Sequence, residues 1–284
     1  MTAPHLSNTT SANQPIGVLD SGVGGMTVLK HIHALLPQEQ LIYFADSKHA
    51  PYGSKTEAQI QARCIEIIDF MVAKKVKAIV VACNTATAAA IDLLREKYTL
   101  PIIGMEPAVK PAAEASLNGV IGVLATVGTL KSAQFAALLE NYGRNVKVIT
   151  QGCIGLVECI ERGELHHPAT YDLLCQYCQP LLNEGADTIV LGCTHYPFVK
   201  TTIQQIVGPE VTLIDTGEAV AKQLQHRLIS LDLLYQPTSN PETRQSLGQV
   251  TLYTNSRASY AQQVISQLWG KPAVILSVDD SLVV

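Results

Sequence analysis

The sequence predicts an α/β protein of two similar three-layer domains, with mostly parallel sheets, a pseudo-twofold relation and an active site in the cleft between the domains. Three observations carry that expectation. Short apolar segments without alternation are separated by helix-length segments, the pattern of parallel strands covered on both faces. The chain has 284 residues, room for about two domains of ordinary size. The sequence also repeats itself. IGVLDSGVGGMTVLK from Ile16 matches IGVLATVGTLKSAQF from Ile121, and IVVACNTATAAA from Ile79 matches IVLGCTHYPFVK from Ile189, at offsets of 105 and 110 residues. That period is too long for a solenoid and suits two facing copies of one α/β unit.

Residues 1–14 are polar, with neither a basic n-region nor an apolar h-region, and read as a disordered leader and not a signal peptide. Residues 16–20 form a buried strand that runs into the glycine-rich turn 21–25 and a helix through 36. A strand at 40–45, a loop at 46–54 with Pro51, Tyr52 and Gly53, and a long helix at 56–74 follow. The apolar strand 78–82 ends at Cys83, followed by a helix at 85–98 and a strand at 101–104. The second round has a strand at 120–124, a turn at 126–129, a helix at 132–142 and a strand at 146–150. Helical stretches at 156–161 and 169–184 lead to a strand at 188–191 ending at Gly192 and Cys193, then a helix at 198–207 and a strand at 211–214. The tail from 216 holds two helices, two short strands and a loop near 237–243. The expected division is therefore 15–107 with 217–284 as the first domain and 108–216 as the second.

Lys and Arg total 20 against 24 Asp and Glu, a net charge of −4, which lacks the basic surface that nucleic acid requires. No uncharged apolar run approaches the ~20 residues that span a bilayer. With 47% hydrophobic and 15% charged residues, disorder is excluded for most of the chain. A soluble, cytoplasmic protein is expected, and in a reducing compartment its seven cysteines stay free. Inert packing is the default for each of them. Cys175 and Cys178 form a C-x-x-C inside one helical stretch, with no second pair to complete a zinc site, and read as structural.

Cys83 and Cys193 depart from that default, because both end a strand at matching places of the repeat and both precede a polar residue and a helix start. Ligands of open α/β sheets bind at the carboxyl ends of strands, so the duplication puts the two thiols on opposite walls of one cleft. Two facing thiols can form a disulfide, bind a metal, or exchange protons with a substrate between them. The polar neighbours Asn84 and Thr85, and Thr194 and His195, favour the third. A helix start should lower the Cys83 pKa, and His195 offers Cys193 a proton acceptor two residues away. The turn from Asp20 and Ser21 to Gly25 is a poor dinucleotide signal; its N–H groups suit a carboxylate or small anion, with Asp20 reaching toward Cys83 or only capping the helix.

Taken together, GVLDSGVGG, YFADSKHAPYG, VVACNTAT, GMEPAVKPA, IGVLAT-x-GT and GCTHYP resemble the glutamate racemases of the cofactor-independent aspartate/glutamate racemase superfamily, over nearly all of residues 15–270. The resemblance implies interconversion of L- and D-glutamate, supplying D-glutamate to peptidoglycan synthesis, without pyridoxal phosphate, other cofactor or metal. It implies that Cys83 takes the α-proton of the D isomer and Cys193 that of the L isomer, assisted by Asp20 and His195. Asp20, Ser21, Tyr52, Gly53, Asn84, Thr85, Thr194 and His195 match substrate-binding positions, and Asp46 and Glu161 match further acidic positions near the site. It also leaves room for a homodimer and for a cell-wall precursor as effector. The rivals are an aspartate racemase with the same two thiols, a non-catalytic binding protein on this scaffold, and a redox protein using Cys175 and Cys178.

Overall fold

Ten strands build two separate parallel sheets in the computed structural model, which describes residues 11–236, 247–256, 258–271 and 273–279. Residues 1–10 of the expected leader, and the loop expected near 237–243, lie outside the described residues.

The chain begins with β1 (Ile16–Asp20), α1 (Met26–Leu35), β2 (Leu41–Ala45), α2 (Glu57–Ala73), β3 (Ala78–Val81), α3 (Asn84–Lys97) and β4 (Ile102–Ile103). The second round is α4 (Val109–Ala115), β5 (Val120–Ala125), α5 (Val127–Leu130), α6 (Ala133–Tyr142), β6 (Lys147–Gly152), α7 (Leu156–Glu161), α8 (Pro168–Asn183), β7 (Thr188–Gly192), α9 (Lys200–Val207) and β8 (Thr212–Ile214). The chain then adds α10 (Gly217–Ser230), β9 (Val250–Thr254), α11 (Ala258–Trp269) and β10 (Val274–Ser277). The first sheet has the order β10-β9-β2-β1-β3-β4 and the second β6-β5-β7-β8. All the pairings are parallel, and both faces of each sheet are packed. Along β1, Ile16 and Val18 enter one core cluster and Leu19 the other; along β3, Ala78 and Val80 oppose Ile79 and Val81 in the same way. That two-sided burial explains why the strands read as unbroken apolar runs.

The duplication extends to strand register. The four-strand unit β2-β1-β3-β4 has the same order as β6-β5-β7-β8. Ile16 pairs with Ala78, and the sequence offsets carry that pair onto Ile121 and Thr188, which also pair. Cys83 and Cys193 each lie five residues beyond those β3 and β7 partners, at equivalent strand ends.

Local chemistry fixes the helices. Thr56 caps α2 through its hydroxyl and Gln59 answers in a capping box, an arrangement worth about 1 kcal/mol. Met26, Leu29 and Ile32 of α1 pack with Val220, Leu224 and Leu228 of α10, which returns the tail to the first sheet. Helix α4 was not expected from the sequence. Its Pro111 falls in the first turn, where a missing N–H costs nothing, so the proline does not prevent the helix. The loop at 46–54 holds two short 3-10 turns, Ser47–His49 and Tyr52–Ser54, and another, Tyr196–Val199, precedes α9.

Candidate active site

The carboxyl ends of β1 and β3 face those of β5 and β7, and the polar residues at these ends are buried together. Asp20 is fully buried, and Ser21, Asn84, Thr85, Thr194 and His195 are all nearly so. Cys83 and Cys193 are 4% and 7% exposed, so the cleft is closed over both sulfurs.

On the first wall, Cys83 is the N-cap of α3, and its Sγ accepts the Ala86 N–H at 3.4 Å. Its thiol donates to the Ser21 hydroxyl oxygen at 3.7 Å. Asp20 Oδ2 accepts the N–H of Gly25 at 2.7 Å and of Gly22 at 3.4 Å. Asp20 therefore caps the turn and also faces Cys83; its two expected roles are compatible. Burial raises the Asp20 pKa, opposed by the charge of His195 and the Gly25 N–H. Burial also pushes the Cys83 thiol well up, and the Asp20 carboxylate adds to the rise. The expected lowering by the helix start is present as the Ala86 N–H bond, but desolvation outweighs it. The Cys83 shift is thus upward, contrary to the lowering expected from the sequence.

On the second wall, His195 Nδ1 lies 3.7 Å from Cys193 Sγ, and its Nε2 lies 2.6 Å from Glu161 Oε1. Burial alone would lower the His195 pKa; the hydrogen bonds to Cys193 and Glu161 overcome it and lift the imidazole well above its ordinary value. Glu161, at the end of α7, also crosses the cleft. Its Oε1 accepts the Val23 N–H at 2.6 Å and its Oε2 the Ser47 hydroxyl at 2.9 Å. The glycine-rich turn does hold carboxylates, but those of the protein itself, Asp20 and Glu161. Its glycines leave the room this requires: a Cβ on Gly22 would lie 1.9 Å from Glu161 Oε1, and one on Gly24 2.2 Å from His195 Nδ1.

Two further contacts close the cleft. Thr85 at the start of α3 shares hydrogen bonds with Thr126 at 2.9 Å and Thr129 at 3.2 Å, both on the second half. Gly53 rests against Thr126, where a Cβ would come within 2.9 Å. Beside this contact a cavity of about 550 Å³ opens between Lys55 and Lys131 and reaches Thr85. Asn84 is buried with neither Nδ2 nor Oδ1 hydrogen-bonded to any described residue, an amide left available to a ligand.

Asp46 sits apart from the sulfurs. Its carboxylate accepts the Tyr52 hydroxyl at 2.5 Å and the Arg63 guanidinium at 2.7 and 3.1 Å. Burial, then the Asp46 charge, holds the Tyr52 hydroxyl in its protonated form. The sequence reading did not single out Arg63, Thr126, Thr129 or Ser47 as site residues. Thr126 and Thr129 carried a signal, since they stand in the turn that repeats the glycine-rich one. Cys175 and Cys178 are free and lie on α8, with Cys178 packed in the core of the second half. No group of three or more His, Cys, Asp or Glu side chains able to hold a metal occurs among the described residues. No helix among them is long and apolar enough to cross a membrane.

The chain is 60% identical over 221 residues to the glutamate racemase of Ectopseudomonas mendocina, covering 78% of this chain and 84% of that one. The fold matches a crystal structure of a glutamate racemase isoform from Bacillus anthracis with a TM-score of 0.83 at 32% identity, over 94% of this chain and 98% of the other. It also matches the Escherichia coli glutamate racemase in complex with L-glutamate and the activator UDP-MurNAc-ala, with a TM-score of 0.79 at 30% identity, over 93% and 97% of the two chains. Residues 16–224 match the profile of the Asp/Glu/Hydantoin racemase family, and the chain belongs to that family.

Proposed function

We propose that the thiols of Cys83 and Cys193 carry out the racemisation of glutamate that this chain catalyses, each serving one face of the α-carbon. The observation that supports this most is the matched placement of two strand-end cysteines, one beside a buried carboxylate and the other beside a buried imidazole. One sulfur, as thiolate, takes the α-proton. The opposite thiol then gives its proton to the other face of the planar carbanion. Cys193 takes the proton of the L isomer and Cys83 that of the D isomer. Burial and the Asp20 charge favour the protonated Cys83 thiol, and the hydrogen bonds to Cys193 and Glu161 favour a protonated His195.

Ser21, Tyr52, Gly53, Asn84, Thr85 and Thr194 hold the substrate. Backbone N–H groups, hydroxyls and the free Asn84 amide receive its two carboxylates, and the closed cleft strengthens each contact by excluding water. Positioning and charge stabilisation of this kind supply most of the rate gain for so weak an acid. The domain boundaries that fit this reading are 15–107 with 217–284, and 108–216. The product D-glutamate supplies peptidoglycan synthesis in the cytoplasm. A homodimer is part of the proposal, and so is a cell-wall precursor as effector, supported by the activator bound to the Escherichia coli relative.

The test is α-proton exchange in deuterium oxide. The wild type should convert L-glutamate to α-deuterated D-glutamate without added cofactor, and aspartate should be a poor substrate. Cys193→Ala should exchange the α-proton of D-glutamate alone and Cys83→Ala that of L-glutamate alone, neither with racemisation. Racemisation retained in either variant would rule out the two-thiol mechanism.

A further inference from the structure

Asp46 is the most heavily hydrogen-bonded carboxylate described near the cleft, and none of its partners is a sulfur. It is fully buried. Arg63, from the middle of α2, grips it with Nη2 at 2.7 Å and Nε at 3.1 Å. Asn255, the residue after β9, donates its amide at 2.5 Å, and the Tyr52 hydroxyl donates at 2.5 Å. His49 Nδ1 stands 2.9 Å away. A carboxylate has about four lone-pair sites, so these donors saturate Asp46. Asn255 also accepts the Lys48 N–H at 3.0 Å, which ties the same loop a second time. The loop so held carries Tyr52 and Gly53, with Gly53 against Thr126 of the other half. Its first residue after Asp46, Ser47, reaches Glu161.

We infer that Arg63 and Asn255 are positioning residues that act through the Asp46 carboxylate on Tyr52, presetting the Tyr52–Gly53 turn for the substrate. The inference rests on the glutamate-racemising function of the cleft proposed above. A planar guanidinium suits the task because two parallel N–H bonds fix the carboxylate plane, which a lysine cannot do. The links from Arg63 and Asn255 through Asp46 to the Tyr52 hydroxyl bypass the separate chain Ser47–Glu161–His195–Cys193, so their effect falls on substrate binding and not on the proton-transfer step. Uniform loss of binding raises KM with little change in kcat.

The experiment measures kcat and KM for Arg63→Lys, Asn255→Ala, Tyr52→Phe and the double variants with Tyr52→Phe, beside the wild type. Arg63→Lys and Asn255→Ala should each raise KM about three- to tenfold, with kcat within about twofold of wild type. In the Tyr52→Phe background, where the hydroxyl link is already gone, adding Arg63→Lys should raise KM no further, and adding Asn255→Ala, which also frees the Lys48 N–H, should raise it by less than it does alone. Should Arg63→Lys fail to fold, the Asn255→Ala cycle decides alone. A fall in kcat with KM unmoved, unchanged kinetics, or full additivity with Tyr52→Phe overturns the inference. A wild type that turns over no glutamate overturns the parent reading instead.

Discussion

Glu161→Gln separates charge from shape in the contact that serves His195. In the native site Glu161 Oε1 meets the Val23 N–H and His195 Nε2, both at 2.6 Å, and Oε2 receives the Ser47 hydroxyl at 2.9 Å. A glutamine is nearly the same size. Its carbonyl oxygen can keep Val23 and His195, and its amide can donate to the Ser47 oxygen, so the hydrogen bonds survive and the negative charge is lost. A hydrogen bond to a charged group contributes about 1.5–3 kcal/mol, against about 0.5–1.5 for a neutral one. The protonated imidazole therefore loses on the order of 1–1.5 kcal/mol of support. Solvent restores little of it, because the His195 and Glu161 side chains are 1% and 14% exposed. At about 1.4 kcal/mol per factor of ten, kcat/KM should fall about tenfold. The two enantiomers have equal free energy in water, so the fall must be the same from either isomer. The pH profile supplies the sign. Burial opposes the imidazolium, and the bonds to Cys193 and Glu161 lift it; with the Glu161 charge gone, His195 deprotonates at lower pH and the alkaline limb of kcat/KM moves toward neutrality. Initial rates measured from both isomers across neutral and alkaline pH give both quantities. An unmoved alkaline limb together with less than a twofold change in kcat/KM would refute the proposed coupling of Glu161 to His195.

Three other substitutions have distinct expected outcomes. Burial raises the Asp20 pKa, so the group's contribution to stability is fully present below its unfolded-state value and is lost as pH rises through the folded one. Asp20→Asn should accordingly raise Tm at neutral pH more than at acid pH, while kcat falls about a hundredfold or more; calorimetry showing a less stable variant at neutral pH contradicts this. Gly24→Ala puts a methyl 2.2 Å from His195 Nδ1 and must swing the ring off Cys193 and Glu161. Racemisation should fall at least about a hundredfold at a cost of roughly 1–3 kcal/mol in stability, and unchanged kcat would show that the ring position is unimportant. Thr56→Ala, which removes an α2 cap whose hydroxyl bonds Gln59, should lower Tm by about 2–4 °C and leave kcat alone, as a melting curve and a rate assay can check.

What could be read from the sequence was local or repeated. The two sheets follow from continuous apolar strands alternating with helices, and their equivalence from offsets that carry one register pair onto another. Cys83 and Cys193 stand out because the repeat marks them at strand ends, Asp20 because it ends β1 ahead of the glycine-rich turn, and His195 because it lies two residues beyond Cys193. Contacts made by distant residues left no trace. Glu161 meets Val23 across 138 residues of sequence and Asn255 meets Asp46 across 209, and neither pair has a spacing that a motif could carry. Arg63 looks like any polar residue on an amphipathic helix until the fold places it over Asp46. The direction of the Cys83 shift was misjudged for a related reason. A helix start is visible in the residues CNTA, whereas complete burial of the thiol beside a buried carboxylate is a property of the assembled cleft.

The repeat also explains why the two walls differ. Asp20 is the fifth residue of β1 and pairs with Ala45; the fifth residue of the matching run in the second half is Ala125, which pairs with Gly152. The position two residues after the cysteine is Thr85 in the first half and His195 in the second. Each half thus keeps a helper that the other lacks. Two carboxylates at these positions would repel and would both disfavour a thiolate; two imidazoles would favour thiolates on both sides and leave no acid. A racemase with two thiols needs one base and one acid at the same moment, in a site closed to bulk water. One carboxylate at the end of β1 and one imidazole after β7, on opposite walls of the cleft, supply that difference in the proposed mechanism. Reversal then needs only the transfer of a proton from one sulfur to the other through the substrate itself, so a duplicated fold can work in both directions although its helpers are not duplicated.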